Sequence, residues 1–189
     1  MNNIEVEYKF KLDTSVEEFK SQLAKMGVKE FYRKFEKTVM YDNVDRLMQI
    51  TDGRIRLRQT GDQFTASYKK PLPKVDGQPK REIEYETSVG DFNLMQNILN
   101  TMLFSETSSY EKYRTKIHLD DTILTIDEYP FAVFVEIEGE EIAIKNLALG
   151  LGFDTQKHIN KPIDTLFNEW RIEKRLEPSM HMKFEGYDQ

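Results

Sequence analysis

Cysteine is absent from this chain, which excludes a disulfide framework, a thiol nucleophile and a thiolate metal site. Histidine is scarce: His118, His158 and His181 are scattered and show no HExxH spacing, so they read as surface or loop residues rather than ligands. Basic residues are in deficit, with 27 Lys and Arg against 33 Asp and Glu and a net charge of -6. General binding to nucleic acid or to an anionic membrane surface needs the opposite balance. No apolar run approaches a bilayer-spanning length, and the N-terminus lacks a signal-peptide pattern, so a cytoplasmic protein without membrane partners is expected. P-loop and GxGxxG motifs are missing as well.

What the chain does have is charge in a strict pattern. Its 189 residues suit one domain, and 32% of them are charged beside 39% hydrophobic. From Ile4 to Leu12, apolar or aromatic residues fall at even positions and Glu5, Glu7, Lys9 and Lys11 at odd ones. Period 2 is the strand signal, and it puts all four charges on one face. The pattern recurs. Arg54, Arg56 and Arg58 share a face, and the Gly61-Asp62 hairpin signal leads to a partner carrying Thr65, Ser67 and Lys69. Glu82, Glu84 and Glu86 follow, then Lys112, Arg114 and Lys116, then Thr125 with Asp127, and finally Glu136 with Glu138.

Between these strands the chain punctuates itself. Thr14 and Ser15 precede Glu17 and Glu18, a capping box in either register, followed by Val16, Phe19, Leu23 and Met26 at helical spacing and closed by Gly27. Lys37 to Asp42 reads as a strand, Asn43 to Gly53 as a polar connection, and the Pro- and Gly-rich segment 71–79 as a long loop. Asp91 caps a second helix, a short one fits Glu141 to Leu149, and Pro162 suits the first position of a last one. The domain is expected over 1–177, with 178–189 as a loose tail.

Any one charged face is ordinary for a solvated antiparallel sheet. So many strands with like charges two apart is not, because such charges repel unless an opposite charge sits between them. The arrangement that accommodates them is an α+β, mainly β, fold. Its strands close into an antiparallel barrel with a charged lumen, and helices cover the apolar outside. Such a lumen suits an anion at the Lys/Arg clusters and a hard cation, Mg²⁺ or Mn²⁺, at an oxygen-only carboxylate cluster. An anion together with such a cation points to phosphate, and several basic residues point to several phosphates.

Glu5-Val6-Glu7-Tyr8-Lys9 resembles the ExExK signature of the CYTH family, the triphosphate tunnel metalloenzymes. In order, Tyr41-Asp42, Ile55-Arg56-Leu57-Arg58, Phe64 to Lys69, Glu82-Ile83-Glu84, Lys112-Tyr113-Arg114, Ile126-Asp127 and Phe134 to Glu138 resemble its later strands. The resemblance implies an eight-stranded antiparallel tunnel that binds a triphosphate with Mg²⁺ or Mn²⁺. It implies Glu5, Glu7, Asp127, Glu136 and Glu138 as metal-side carboxylates, and Lys9, Arg56, Arg58, Lys69 and Arg114 as triphosphate contacts. Lys11, Arg54 and Lys112 are further candidates, and Glu82 and Glu84 are metal-side or structural.

Among these, Glu5, Glu7, Lys9, Arg58 and Glu138 form the expected catalytic set. The family closes its tunnel with a Lys or Ser-Tyr near the C-terminal helix. Here that region reads Lys157-His158-Ile159-Asn160-Lys161-Pro162, so Lys157 or Lys161 is the expected cation and the Ser-Tyr is absent. The implied reaction is triphosphate hydrolysis on inorganic, thiamine or nucleoside triphosphate. Cyclisation of ATP to cyclic AMP is the alternative, and a non-catalytic polyphosphate-binding module a third. The expected partner is a triphosphate-containing small molecule, and the expected state a monomer or homodimer.

Overall fold

The protein is described by a computed structural model covering residues 4–75 and 78–184. Its strands are β1 Ile4–Lys11, β2 Arg33–Asn43, β3 Arg54–Thr60, β4 Gln63–Pro71, β5 Lys80–Val89, β6 Phe104–Leu119, β7 Thr122–Glu128, β8 Val133–Gly139 and β9 His181–Met182. Its helices are α1 Val16–Lys25, α2 Leu47–Thr51, α3 Phe92–Thr101, α4 Glu141–Gly150 and α5 Ile163–Glu173.

Strands β2-β3-β4-β5-β1-β8-β7-β6 pair in that order, and β6 pairs back with β2, so eight antiparallel strands close a barrel. Two tight hairpins set local register. Thr60 faces Gln63 across a turn whose Gly61 has φ +58°, and Leu119 faces Thr122 across a turn whose Asp120 has φ +49°. Glycine and aspartate are among the residues that tolerate this left-handed conformation.

Alternation then sorts the side chains. Tyr8, Phe10, Ile117, Leu124, Ile126, Val135 and Ile137 point outward. They pack under Phe19 and Leu23 of α1 and Ile144 and Ala148 of α4. Burying each such side chain contributes ~1.5–3 kcal/mol. The helix α1 starts where Ser15 accepts from the Glu18 amide while the Glu18 carboxylate accepts from the Ser15 amide. On the other side of the barrel, Val39, Tyr41 and Leu57 pack against Phe92, Met95 and Leu99 of α3. A third cluster, Tyr129, Phe134, Phe167 and Met182, gathers with Phe131 and Trp170 where α5 meets the barrel. There α5 lends Ile163 and Asp164 to the wall of the internal cavity.

Several local expectations change. Strand β2 begins at Arg33 rather than Lys37, and β6 reaches back to Phe104, well ahead of its Lys112 to Lys116 face, because the two pair with each other from Arg33–Thr115 to Asn43–Phe104. The polar connection 43–53 contains α2, whose Met48 and Gln49 amides donate to Asp42. Asp42 is thus a helix-capping residue and lines no part of the main cavity. Pro162 is the cap preceding α5 rather than its first residue.

Residues 179–184, expected as part of a loose tail, dock against the barrel. Met182 is buried, β9 runs parallel to β6, and the Phe184 amide donates to Glu111. Part of the loop expected over 71–79, Asp76 and Gly77, lies outside the described residues. Among the described residues no helix is long and apolar enough to cross a membrane.

Candidate functional site

Inside the barrel lies a cavity of about 260 Å³ walled mostly by charged side chains. Each comes from the inward parity of its strand. Glu5, Glu7 and Lys9 come from β1, Arg54, Arg56 and Arg58 from β3, Lys69 from β4, and Lys80, Glu82, Glu84 and Glu86 from β5. Tyr110, Lys112, Arg114 and Lys116 come from β6, Thr125 and Tyr129 from β7 and its end, and Glu136 and Glu138 from β8. A second cavity of about 80 Å³ adjoins it and shares Arg54, Lys80, Glu82 and Pro162 as walls, with Pro71, Leu72 and Pro73 beyond them.

Most of these charges are matched. Lys9 lies 3.1 Å from Glu136, its direct cross-strand partner. Arg114 donates to Asp127 at 2.6 Å and to Glu136 at 2.8 Å, and Lys112 reaches Asp127 at 2.8 Å. Asp127 is fully buried, standing behind these cations rather than on the cavity surface. Lys80 bridges Glu7 at 2.8 Å and Glu82 at 2.6 Å. Lys69 bonds Glu5 and lies 3.1 Å from Glu84, and Arg54 bonds Glu82. Arg56 donates to Ser67 at 2.6 Å and Glu84 at 2.9 Å.

Burial raises the cost of ionising the Glu136 carboxyl, yet Lys9, Arg114 and Lys112 outweigh it and hold the group well below the usual carboxylate range. Burial in the same cavity pushes Lys80 and Lys112 down from the usual lysine range.

The mismatches are informative. Glu138 makes no ion pair within 4.0 Å among the described residues. It stands directly across from Glu7 in the β1–β8 ladder. Burial and then the charge of Glu5 raise it, Lys69 offsets part of this, and Glu7 and Glu84 add to it, leaving a pKa of about 7. On the cationic side, the Arg58 Nε is buried without a hydrogen-bond partner, and its nearest carboxylate, Glu36, lies 4.0 Å away. Lys116 lines the mouth, exposed.

Of the residues expected to form the site, Glu5, Glu7, Lys9, Arg56, Arg58, Lys69, Lys112, Arg114, Glu136 and Glu138 meet on one cavity, with Asp127 behind it. Three lysines do not join them. Lys11 has the right parity but is exposed, because its cross-strand partner Phe134 belongs to the aromatic cluster under α5. Lys161 is on the surface, paired with Glu169 at 2.5 Å, and Lys157 is exposed beside Asp154. Pro162, Ile163 and Asp164 reach the cavity in their place.

Two wall residues, Lys80 and Tyr110, and the buried Glu36 behind the wall were not singled out from the sequence. Lys80 shares parity with Glu82, so extending that strand by one step would have found it. Glu36 shares parity with Thr38, and Tyr110 lies two positions before Lys112. Glu36 is buried between Lys112 at 3.6 Å and Arg58 and Arg114 at 4.0 Å. Burial opposes its charge, but these three cations hold its pKa below the usual value.

Carboxylate oxygens are the donors available to a metal. Among the described residues no three acidic or histidine side chains stand ready to clasp an ion, since Lys69 and Lys80 occupy Glu5 and Glu7. The unpaired, proton-retaining Glu138 beside them shows that this corner holds more negative charge than its lysines neutralise. An oxygen-only, over-charged corner fits a hard divalent cation.

Comparison with known proteins agrees with this architecture. A Methanocaldococcus jannaschii protein provisionally named an adenylate cyclase is 29% identical over 175 residues, covering 91% of this chain and 98% of that one. A Vibrio parahaemolyticus structure, also provisionally named an adenylate cyclase, superposes with a TM-score of 0.75 at 14% identity, covering 88% of this chain and 99% of that one. A Hippeastrum structure described as having a dominant triphosphatase activity superposes with a TM-score of 0.64 at 15% identity, covering 87% and 95%. At such identities the two structures speak for the fold alone. The CYTH domain profile matches residues 3–148, and with the closed charged barrel it establishes that this chain belongs to the CYTH family.

Proposed function

We propose that this protein hydrolyses a triphosphate inside its barrel with the help of Mg²⁺ or Mn²⁺. One observation carries the reading: the cavity is segregated into a corner short of cations and a wall short of anions. Among the described residues Glu138 lacks an ion-pair partner beside Glu5 and Glu7, while Arg58 lines the lumen with its nearest carboxylate, Glu36, 4.0 Å away. A metal-bound polyanion satisfies both at once.

Glu5, Glu7 and Glu138 would hold the metal, displacing the Lys69 and Lys80 ammonium groups toward the substrate. When bound, the ion supplies positive charge and Lewis acidity toward phosphoryl oxygens. The chain does the rest. Lys9, Arg56, Arg58, Lys69 and Arg114 bind phosphoryl oxygens, align the chain of phosphates along the lumen and neutralise the charge that accumulates on the leaving group. Glu136, held ionised by Lys9, Arg114 and Lys112, and the buried Asp127, paired with Lys112 and Arg114, keep those cations in place between turnovers. The main cavity, at about 260 Å³, lies below the ~300–1,000 Å³ usual for pockets that enclose an organic ligand, which favours a reaction confined to the phosphates.

The cyclase reading is favoured by the name of the 29%-identical relative and by the adjoining proline-walled cavity, where an organic group would sit. The two readings separate by product. Purified protein is incubated with Mg²⁺ or Mn²⁺ and, separately, inorganic triphosphate, thiamine triphosphate and ATP. Phosphate release is the expected result. Cyclic AMP with pyrophosphate from ATP replaces the hydrolase with the cyclase, and binding without product leaves a non-catalytic module.

A further inference from the structure

The aromatic side chains in the lumen stand apart from the matched charges. Tyr110 enters from β6, two positions from Lys112, and lines the cavity near the α5 end, where its ring lies 6.0 Å from that of Tyr129. Thr38 of β2 is its cross-strand partner on one edge and Met182 of β9 on the other. Arg56 and Arg58 face it from β3, and α5 contributes Asp164 to the same cavity wall. A phenol hydroxyl set among guanidinium groups and an ammonium group has no use in a packed core. It suits an anion with several acceptor oxygens, where a neutral donor adds a hydrogen bond without another charge to desolvate.

We propose that Tyr110 is a substrate-contacting residue: its phenol completes, with Arg56, Arg58 and Lys112, a subsite for one phosphoryl group at the α5 end of the barrel. Only the protonated phenol admits the anion. The inference rests on the triphosphate reading above and adds a residue and a pH gate to it.

Burial in the cavity wall pushes the phenol up, but Arg56, then Lys112 and Arg58, outweigh it and bring its pKa to about 8. Below that value the subsite offers an O–H donor and three cations. Above it, a phenolate cancels one cation and turns the donor into a repelling charge. Linkage requires the reverse effect too: a bound polyanion holds the proton on Tyr110 and raises its pKa.

The test uses the intact protein with Mg²⁺ and the imido analogue of inorganic triphosphate, so that turnover does not intervene. Tyrosinate absorbance is titrated from pH 6 to 10, and analogue affinity is measured by calorimetry, in wild type and in Tyr110→Phe. The wild type shows one tyrosinate phase near pH 8 that is missing in Tyr110→Phe and moves up by about one pH unit or more when analogue is bound. The wild-type affinity falls by up to about tenfold per pH unit above 8 relative to Tyr110→Phe, the limit for one linked proton. Taking that ratio cancels titration of the ligand and of the lysines. A phase near pH 8 that survives in Tyr110→Phe, or one that bound analogue leaves unmoved, overturns the pH gate and the contact. Absence of analogue binding to wild type at pH 7 overturns the triphosphate reading itself, and this inference with it.

Discussion

Glu7 on β1 and Glu138 on β8 face each other directly across an antiparallel ladder, inside a barrel, with a lysine bridging only the first of them. Like charges so placed destabilise a sheet by ~0.2–1 kcal/mol, and burial, then Glu5, with Glu7 and Glu84 adding to them, push Glu138 up to about 7.

The sign of the consequence follows. The folded protein holds the Glu138 proton more tightly than the unfolded chain, whose value is near 4.5, so the favourable contribution is complete below pH 4.5 and is lost as pH rises through about 7. Glu138→Gln removes that loss. Without metal, the variant melts higher than wild type at pH 8, by an amount equivalent to roughly 1 kcal/mol or less, and the gap closes at pH 4. Thermal melts at the two pH values check this, and an unchanged gap between them refutes the assignment.

The same carboxylate is expected to be needed for turnover. Glu138→Gln and Glu7→Gln each abolish phosphate release while leaving far-UV circular dichroism intact. Chelation of divalent ions in the wild type has the same effect, reversed by adding Mg²⁺ or Mn²⁺. Full activity in either variant or in excess chelator would sink the metal corner.

Arg58 and Arg114 are both lumenal, yet their loss is expected to differ in kind. Arg58 meets a carboxylate only at 4.0 Å, at Glu36, which Lys112 and Arg114 also neutralise, so Arg58→Ala lowers turnover by ~10²–10³-fold and destabilises less than Arg114→Ala. Arg114 neutralises the fully buried Asp127, so Arg114→Ala also destabilises by about 3–5 kcal/mol. Urea unfolding alongside phosphate release separates the two cases, and equal destabilisation would contradict the pairing.

Phe167 on α5 is buried against Phe131 and stacks near Trp170 where the helix meets the barrel. Phe167→Ala costs ~3–5 kcal/mol by emptying that cluster. Because Ile163 and Asp164 of the same helix wall the cavity, it also weakens triphosphate binding, measurable as a rise in KM. Wild-type KM in a destabilised variant would show that α5 closes the fold and not the site.

Much of the architecture was legible from alternation. The inward sets on β1, β3, β5, β6 and β8 stand as period 2 placed them, since successive Cβ atoms point to opposite faces of a strand whatever surrounds it. The helices α1 and α3 were legible for an equally local reason, their Ser15–Glu18 and Asp91 caps. Elements whose reason is distant were not. The opening residues of β2 are strand because they pair with 112–115 of β6, those of β6 because they pair with the end of β2, in both cases more than sixty residues away, and β9 is a strand because β6 offers it an edge.

By itself, then, the sequence determined which side chains share a face and that those faces carry charge no ordinary surface needs. Only the tertiary structure decided which charge meets which. Parity says nothing about height along a barrel, where closure and stagger set the neighbours. That is why Lys11 has the lumenal parity and stands outside, and why Lys80 rather than a residue near Lys161 joins Glu7. It is also why Glu138, one of many alternating glutamates in the sequence, becomes the carboxylate left without a cation.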